Sequence, residues 1–278
     1  SGGRVRLVSA LLEVRNLSVQ FARSPLASLM RREVHVTTAV VDVSFSVARG
    51  ACLGLVGESG CGKSTLSRTV MRLIAPTSGH VLFDGEDVHA LGGRQLFDYR
   101  RRAQMIFQDP FGALNPRRTA GETLEEVLAV HGMRRAADRD RAIRGLLDKV
   151  GLPADVAGRR PASLSGGQCQ RIGIARALAV EPELIIADEA LSALDVSIQA
   201  QILNLLGELR RAMGLTMLFV SHDLGVVRYL CDEVVVMNRG RLVEHGSIGR
   251  IFEHPASDYT RSLLAAMPSL RRLARQSD

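Results

Sequence analysis

Residues 51–74 read ACLGLVGESGCGKSTLSRTVMRLI, an apolar strand-sized run, a turn rich in glycine, and a helical pattern from about Lys63 to Ile74. Within it GESGCGKST, Gly57 through Thr65, fits G-x-x-x-x-G-K-[ST] in the strand–turn–helix setting that this motif requires. Gly57, Gly60 and Gly62 let the amides of Glu58, Ser59, Cys61 and their neighbours converge on phosphate oxygens without a Cβ in the way. The helix start adds a favourable dipole. Lys63 is expected to neutralise the β- and γ-phosphates as a compact point charge, a task that the planar fork of Arg performs differently. Ser64 closes the motif and is expected to ligate Mg²⁺, and Thr65 follows it at the helix start as a further nucleotide-binding candidate. Of 36 basic residues only Lys63 and Lys149 are lysines, so a bias toward Arg is overridden at position 63.

Downstream, ELIIADE (183–189) runs from a buried strand, Leu184 to Ala187, onto Asp188 and Glu189. That is the carboxyl edge where ligands of open α/β sheets sit. Asp188 suits a Mg²⁺ site, directly or through water, and Glu189 suits the positioning and deprotonation of an attacking water. LSGGQCQR, Leu164 through Arg171, sets two glycines after a serine just ahead of the helical pattern QRIGIARALAV. This is a second anion site at a helix start. One nucleotide does not need two phosphate cradles. Two chains packed head to tail do, each closing its cradle over the other's nucleotide.

From about Leu12 to Pro268 the chain resembles the nucleotide-binding subunits of ABC transporters, whose signature is LSGGQ. The resemblance implies an α/β fold: a P-loop NTPase core with a mostly parallel sheet, an N-terminal antiparallel β subdomain and an inserted α-helical subdomain. It implies ATP and Mg²⁺ as cofactors. It also implies that Ser165, Gly166, Gly167 and Gln168 cover the nucleotide of a partner subunit. Gln108 in MIFQDP stands where the family's Q-loop reaches Mg²⁺ and the membrane subunits. SALD, Ser192 through Asp195, resembles the D-loop that crosses the dimer interface. His222 in FVSHDL stands where the switch histidine contacts the γ-phosphate, and Phe21, ending the first strand, where an aromatic stacks on adenine. The family more often has Pro at position 190. Here DEALSALD has Ala190 and Leu191, which alters loop stiffness beside Glu189 and removes no reacting group.

Away from these motifs, LLEVRNLSVQF and AVVDVSFSV read as strands, with an Arg-rich loop from Ala22 to about Thr38 between them. SGHVLFDGEDV reads as a strand and a turn. A charged helical pattern runs from Gly121 to about Val150, and strands return at ELIIAD, LTMLFV and EVVVM. Strands alternating with helices argue for a largely parallel sheet covered by helices. The expected organisation is one ATPase domain over 1–278. Its catalytic core with the antiparallel subdomain covers 11–108 and 172–248, the helical subdomain 109–171, and a C-terminal helical tail 249–278.

The formal charge of +7 is spread over many arginines and says little about partners. No apolar run approaches the roughly 18–20 residues that cross a bilayer, and no signal-peptide segment opens the chain. A peripheral location on the cytoplasmic side of the inner membrane is expected. Cys52, Cys61, Cys169 and Cys231 form no C-x-x-C pair and read as reduced thiols. No Cys follows Cys231, so the cysteine-bound iron–sulfur cluster of some related subunits is not expected. One cassette, no long coiled coil between Ser64 and Leu164, and no fused membrane domain point to an importer. GESGCGKST, QMIFQDPFGALNP, SALDVSIQAQILNLL and FEHPASDYTRSLLAAMP resemble the dipeptide and oligopeptide branch, whose wording nickel and opine importers share. The expected partners are two membrane-spanning permease subunits and a second ATPase subunit, paralogue or self, in a head-to-tail dimer. An extracytoplasmic solute-binding protein acts indirectly, and no nucleic acid is expected. The rival from another class is a regulatory or nucleic-acid-associated ABC ATPase, marked by salt-dependent stimulation by DNA or RNA.

Overall fold

The apolar runs CLGLV, LIIAD and TMLFVS have almost no polar residue to turn toward water, and each becomes a strand buried along its whole length. A computed structural model of the chain describes residues 10–22, 36–133, 135–192 and 194–266. They form two compact units, one from the chain before Gly93 and after Met217, the other from Gly93 to Met217.

The chain opens with β1 (Ala10–Ala22), β2 (Val36–Ala48), β3 (Cys52–Val56), α1 (Lys63–Val70), β4 (Ser78–Phe83) and β5 (Glu86–Asp87). Then come α2 (Gly93–Arg102), β6 (Ala103–Ile106), α3 (Ala120–Val130), α4 (Ala136–Lys149), α5 (Gly166–Leu178), β7 (Leu184–Asp188) and α6 (Val196–Met213). The last elements are β8 (Thr216–Ser221), α7 (Leu224–Leu230), β9 (Glu233–Asn238), β10 (Arg241–Ser247), α8 (Ile248–Glu253) and α9 (Asp258–Ala265).

In the first unit an antiparallel sheet has the order β2-β1-β4-β5. Where the β1–β2 ladder is bulged, side chains replace its bonds: Asn16 N donates to Ser44 Oγ at 2.8 Å and Asp42 N to Ser18 Oγ at 2.9 Å. β2 begins at Val36, opposite Ala22, so strand pairing takes up the end of the expected loop, whose residues 23–35 lie outside the described residues. The same unit holds β10-β9-β3-β8 in that order, with β3 parallel to β9 and β10 antiparallel to it. In the second unit β8, as it starts, and β6 flank β7, and β6 runs parallel to β7.

Local signals set the helix limits. Thr119 and Glu122 form a reciprocal capping box that starts α3. Gly132, at φ 99°, ends it in a Schellman turn, with Met133 N donating to Leu128 O at 3.0 Å. The helical pattern of 121–150 is therefore two helices. α1 stops at Val70, short of the expected Ile74, because Arg72 adopts φ 54°.

Glu244 of β10 is 7% exposed and accepts the amides of Ala256 at 2.7 Å and Ser257 at 3.1 Å, tying the entry of α9 to the sheet. Burial opposes its ionisation, but the Thr260 side chain and those two amides outweigh it and hold the carboxyl below its usual value. A depressed folded-state pKa gives stability that is full above the unfolded value near 4.5 and is lost as pH falls through the folded one. Glu244→Gln should therefore cost about 1–3 kcal/mol at neutral pH. Urea unfolding followed across pH should also show a shallower acid limb for the variant than for the parent.

Candidate functional site

The turn between β3 and α1 is wedged among neighbouring backbone. A Cβ on Gly57 (φ 153°) would lie 2.2 Å from Met237 O, and one on Gly62 (φ 107°) 2.2 Å from Ala39 O. Gly60 is needed for conformation alone: its φ is 79° and nothing lies within 4 Å of an added Cβ. Gly240, in the turn joining β9 to β10, donates its amide to Cys61 O at 2.9 Å and accepts from Val41 N at 2.8 Å. The loop is thereby held from two sides. Lys63 is 4% exposed, and its Nζ donates to Gly57 O at 2.8 Å and Glu58 O at 3.0 Å. Burial pushes the Cys61 thiol up, against the lowering effect of the Lys63 ammonium 3.9 Å away, so the thiol stays protonated. The cap of α1 is Gly62, which brings no side chain to the amides of Lys63, Ser64 and Thr65 at the helix start. A glycine-lined cradle before an uncapped helix start suits a phosphate chain.

In the second unit β7 delivers Asp188, 5% exposed, and then Glu189 in the left-handed region at φ 48°. A non-glycine residue there is strained and needs holding. Ser192 supplies the hold: its amide donates to Glu189 O at 3.1 Å and its hydroxyl to the same oxygen at 3.0 Å. Gln108, just after β6, donates from Nε2 to Glu189 Oε2 at 3.0 Å and to Ser192 Oγ at 3.3 Å. Two residues read separately from sequence, Gln108 and Glu189, are thus joined. The serine hydroxyl of Ser64, the Asp188 carboxylate and the Gln108 amide oxygen are all hard donors of the kind that suit Mg²⁺. Ala190 and Leu191 are buried, and Gln199 of α6 donates to Leu191 O and Leu194 O, each at 2.9 Å, so side-chain bonds stiffen this turn in place of proline.

Ser165 caps α5 in a second reciprocal box: its Oγ accepts from Gln168 N at 3.2 Å and its amide donates to Gln168 Oε1 at 3.0 Å. Gly167 has a packing reason as well as an electrostatic one, since a Cβ there would meet Ile198 Cγ2 of α6 at 2.7 Å. At Gly166 a Cβ would make only ordinary contact, 3.4 Å from Leu194 Cδ2. Asp195 is exposed at the N-cap of α6, and its carbonyl accepts from Gln199 N at 2.8 Å. In the first unit His222 is exposed, directly before Asp223, which caps α7. Phe21, near the end of β1, is 42% exposed, as a stacking surface must be.

Sequence reading missed three supporting residues. Ser192 lay within a quoted motif but carried no assigned role. Gln199 gave no signal. Tyr259 accepts from Glu58 N at 3.2 Å, a contact between residues 201 apart. The two lysines offer an internal comparison, because Lys149 is exposed in the last turn of α4. Lys63→Arg should cut nucleotide affinity or turnover by at least about tenfold, since the fork cannot repeat the two-carbonyl seat, whereas Lys149→Arg should be nearly silent. Nucleotide titration and phosphate release on both variants decide it, and equal effects would remove Lys63 from the phosphate site.

The sequence matches the ABC transporter family over residues 40–192. A Brucella ovis protein, provisionally named a peptide import ATP-binding protein, is 54% identical over 82% of this chain and 72% of its own length. The oligopeptide transport ATP-binding protein OppF of Bacillus subtilis is 48% identical over 94% of this chain and 84% of its own. Among solved structures, the dimeric post-hydrolysis state of the ATP-binding cassette MJ0796 with ADP and phosphate superposes with a TM-score of 0.74. It is 29% identical and covers 85% of this chain and 98% of that one. Phosphate loop, acidic strand end and capped signature helix agree with what these likenesses say of the whole: the chain belongs to the ABC transporter family.

Proposed function

We propose that this chain binds and hydrolyses ATP to energise the import of peptides by an ABC transporter. The observation that carries the reading is the buried Lys63, seated on two carbonyls of a loop that only glycines can bring so close to its neighbours. Relatives named for peptide and oligopeptide transport favour peptide over nickel as the cargo.

The roles follow from the chemistry of each side chain. Lys63, seated in part on the Glu58 carbonyl, and the amides from Ser59 to Thr65 bind the phosphates, and Phe21 stacks on the adenine. Ser64, Asp188 and Gln108 hold Mg²⁺, which when bound offsets phosphate charge. Glu189 orients and deprotonates the attacking water, Gln108 sets the direction of its carboxylate, and His222 contacts the γ-phosphate. Ser165, Gly166, Gly167, Gln168 and Asp195 act on the nucleotide of a second ATPase subunit packed head to tail. That MJ0796 is dimeric in a post-hydrolysis state with ADP and phosphate bound supports the presence of a second ATPase subunit. We assign a catalytic core to 11–108 and 172–248, a helical subdomain riding on the permease subunits to 109–171, and a C-terminal tail to 249–278. No helix among the described residues is long and apolar enough to cross a membrane. Two permease subunits would supply the channel, a solute-binding protein the cargo, and this chain would work from the cytoplasmic face of the inner membrane.

Glu189→Gln keeps the shape and the bond to Gln108 but removes the base. Steady-state hydrolysis should fall by about 10²-fold or more while ATP binding persists, and uptake of a labelled oligopeptide should stop in cells carrying only the variant. Loss of nickel uptake instead would move the assignment to that cargo. Gly166→Asp fits the space available and sets a carboxylate toward the partner's nucleotide, where like charges repel strongly. Gel filtration with ATP should show its dimer lost while monomer affinity is unchanged. Loss of monomer affinity would place the signature loop at the chain's own nucleotide.

A further inference from the structure

The peptide that joins Gly57 to Glu58 is held at both ends. Its carbonyl, Gly57 O, takes the Lys63 ammonium at 2.8 Å, and its amide, Glu58 N, donates to Tyr259 Oη at 3.2 Å. An amide plane turns as one body, so fixing the N–H fixes the direction of the C=O. This plane most needs an outside hold. Gly57 stands at φ 153° with no side chain to lock it, at the joint where β3 gives way to the loop. Tyr259, half-buried on α9, is itself well anchored. Glu244 binds the amides that lead into the helix, and Arg261 Nη1 donates to Pro255 O at 2.8 Å and Ala256 O at 3.1 Å in the same turn.

We propose that Tyr259 is a positioning residue for nucleotide binding, fixing the Gly57–Glu58 peptide so that its carbonyl seats Lys63 where the phosphates arrive. The inference rests on the reading of Lys63 as a phosphate ligand. It gives the segment from β10 through α9 a part in nucleotide affinity, although none of it lies in the stretch that matches the family. Tyr259 touches no reacting atom. It acts through Lys63.

The test uses the full chain. Tyr259→Phe keeps the ring and removes only the hydroxyl. The dissociation constant for MgATP and the KM should both rise about three- to tenfold, as for the loss of one hydrogen bond, with kcat at saturation within about twofold and an unchanged melting temperature. Hydrogen exchange supplies the direct readout: the Glu58 amide should be protected in the ligand-free parent and faster in the variant, while β3 is unaltered. Unchanged affinity and KM in the variant would overturn the inference, as would a Glu58 amide unprotected in the parent, a result that needs no variant. A Lys63→Ala control separates the two readings. Should Lys63→Ala bind MgATP normally, the phosphate-site reading falls and takes this inference with it. If Lys63→Ala loses binding while Tyr259→Phe is silent, only the role of Tyr259 is lost.

Discussion

The Lys63 ammonium, buried on the carbonyls of Gly57 and Glu58, fixes what the surrounding unit must look like. A buried ammonium is costly unless dipoles replace its water, and the carbonyls can converge only if the loop folds back tightly. That tightness brings Gly57 against Met237 O and Gly62 against Ala39 O, closer than any Cβ allows. The walls in turn come from separate places, β2 on one side and the end of β9 on the other, joined through Gly240 in the turn that follows β9. Sheet register, turn geometry and the seat of one lysine are therefore a single problem with a single solution.

The second unit solves a different problem, holding a carboxylate in a conformation it would not choose. Glu189 takes a left-handed backbone, which for a residue with a Cβ costs of the order of 1 kcal/mol or more. Ser192 binds its carbonyl twice and Gln108 binds its side chain. Backbone and carboxylate are both over-determined, so the direction of the carboxylate is set before any substrate arrives. The Gln108 bond also gives a route by which movement of the chain after β6 would redirect Glu189.

Sequence alone carried the interior strands, because a buried parallel strand has no choice but continuous apolar residues, and it carried the phosphate loop, whose glycines are irreplaceable. Other parts were hidden for physical reasons. α2, GRQLFDYRRR, buries only Tyr99, so it has no apolar stripe to read. The break between α3 and α4 rests on a single glycine, Gly132, inside a pattern that otherwise runs on as helix. β10 owes its existence to pairing with β9 and alternates too weakly to stand out. The order of the site motifs was legible, but not the bonds among their members. Gln108 meets Glu189 and Ser192 across more than 80 residues, and Tyr259 meets Glu58 across 201. Local patterns cannot carry contacts of that span.

The first unit is made from two separate stretches of the chain, with residues 93–217 between them. β3 has β8 on one side and β9 on the other, and both are synthesised after that long interval. On the ribosome, then, the strand that carries the phosphate loop waits with both edges unpaired while the whole second unit is made. The Met237 wall and the Gly240 clasp arrive later still. Pairing over such a separation is intrinsically slow and leaves apolar strand edges exposed to other chains in the meantime. A nascent chain of this kind cannot use nucleotide to steady itself, because the cradle is finished only once Gly240 has been made. The interval before completion is when chaperones matter most to it.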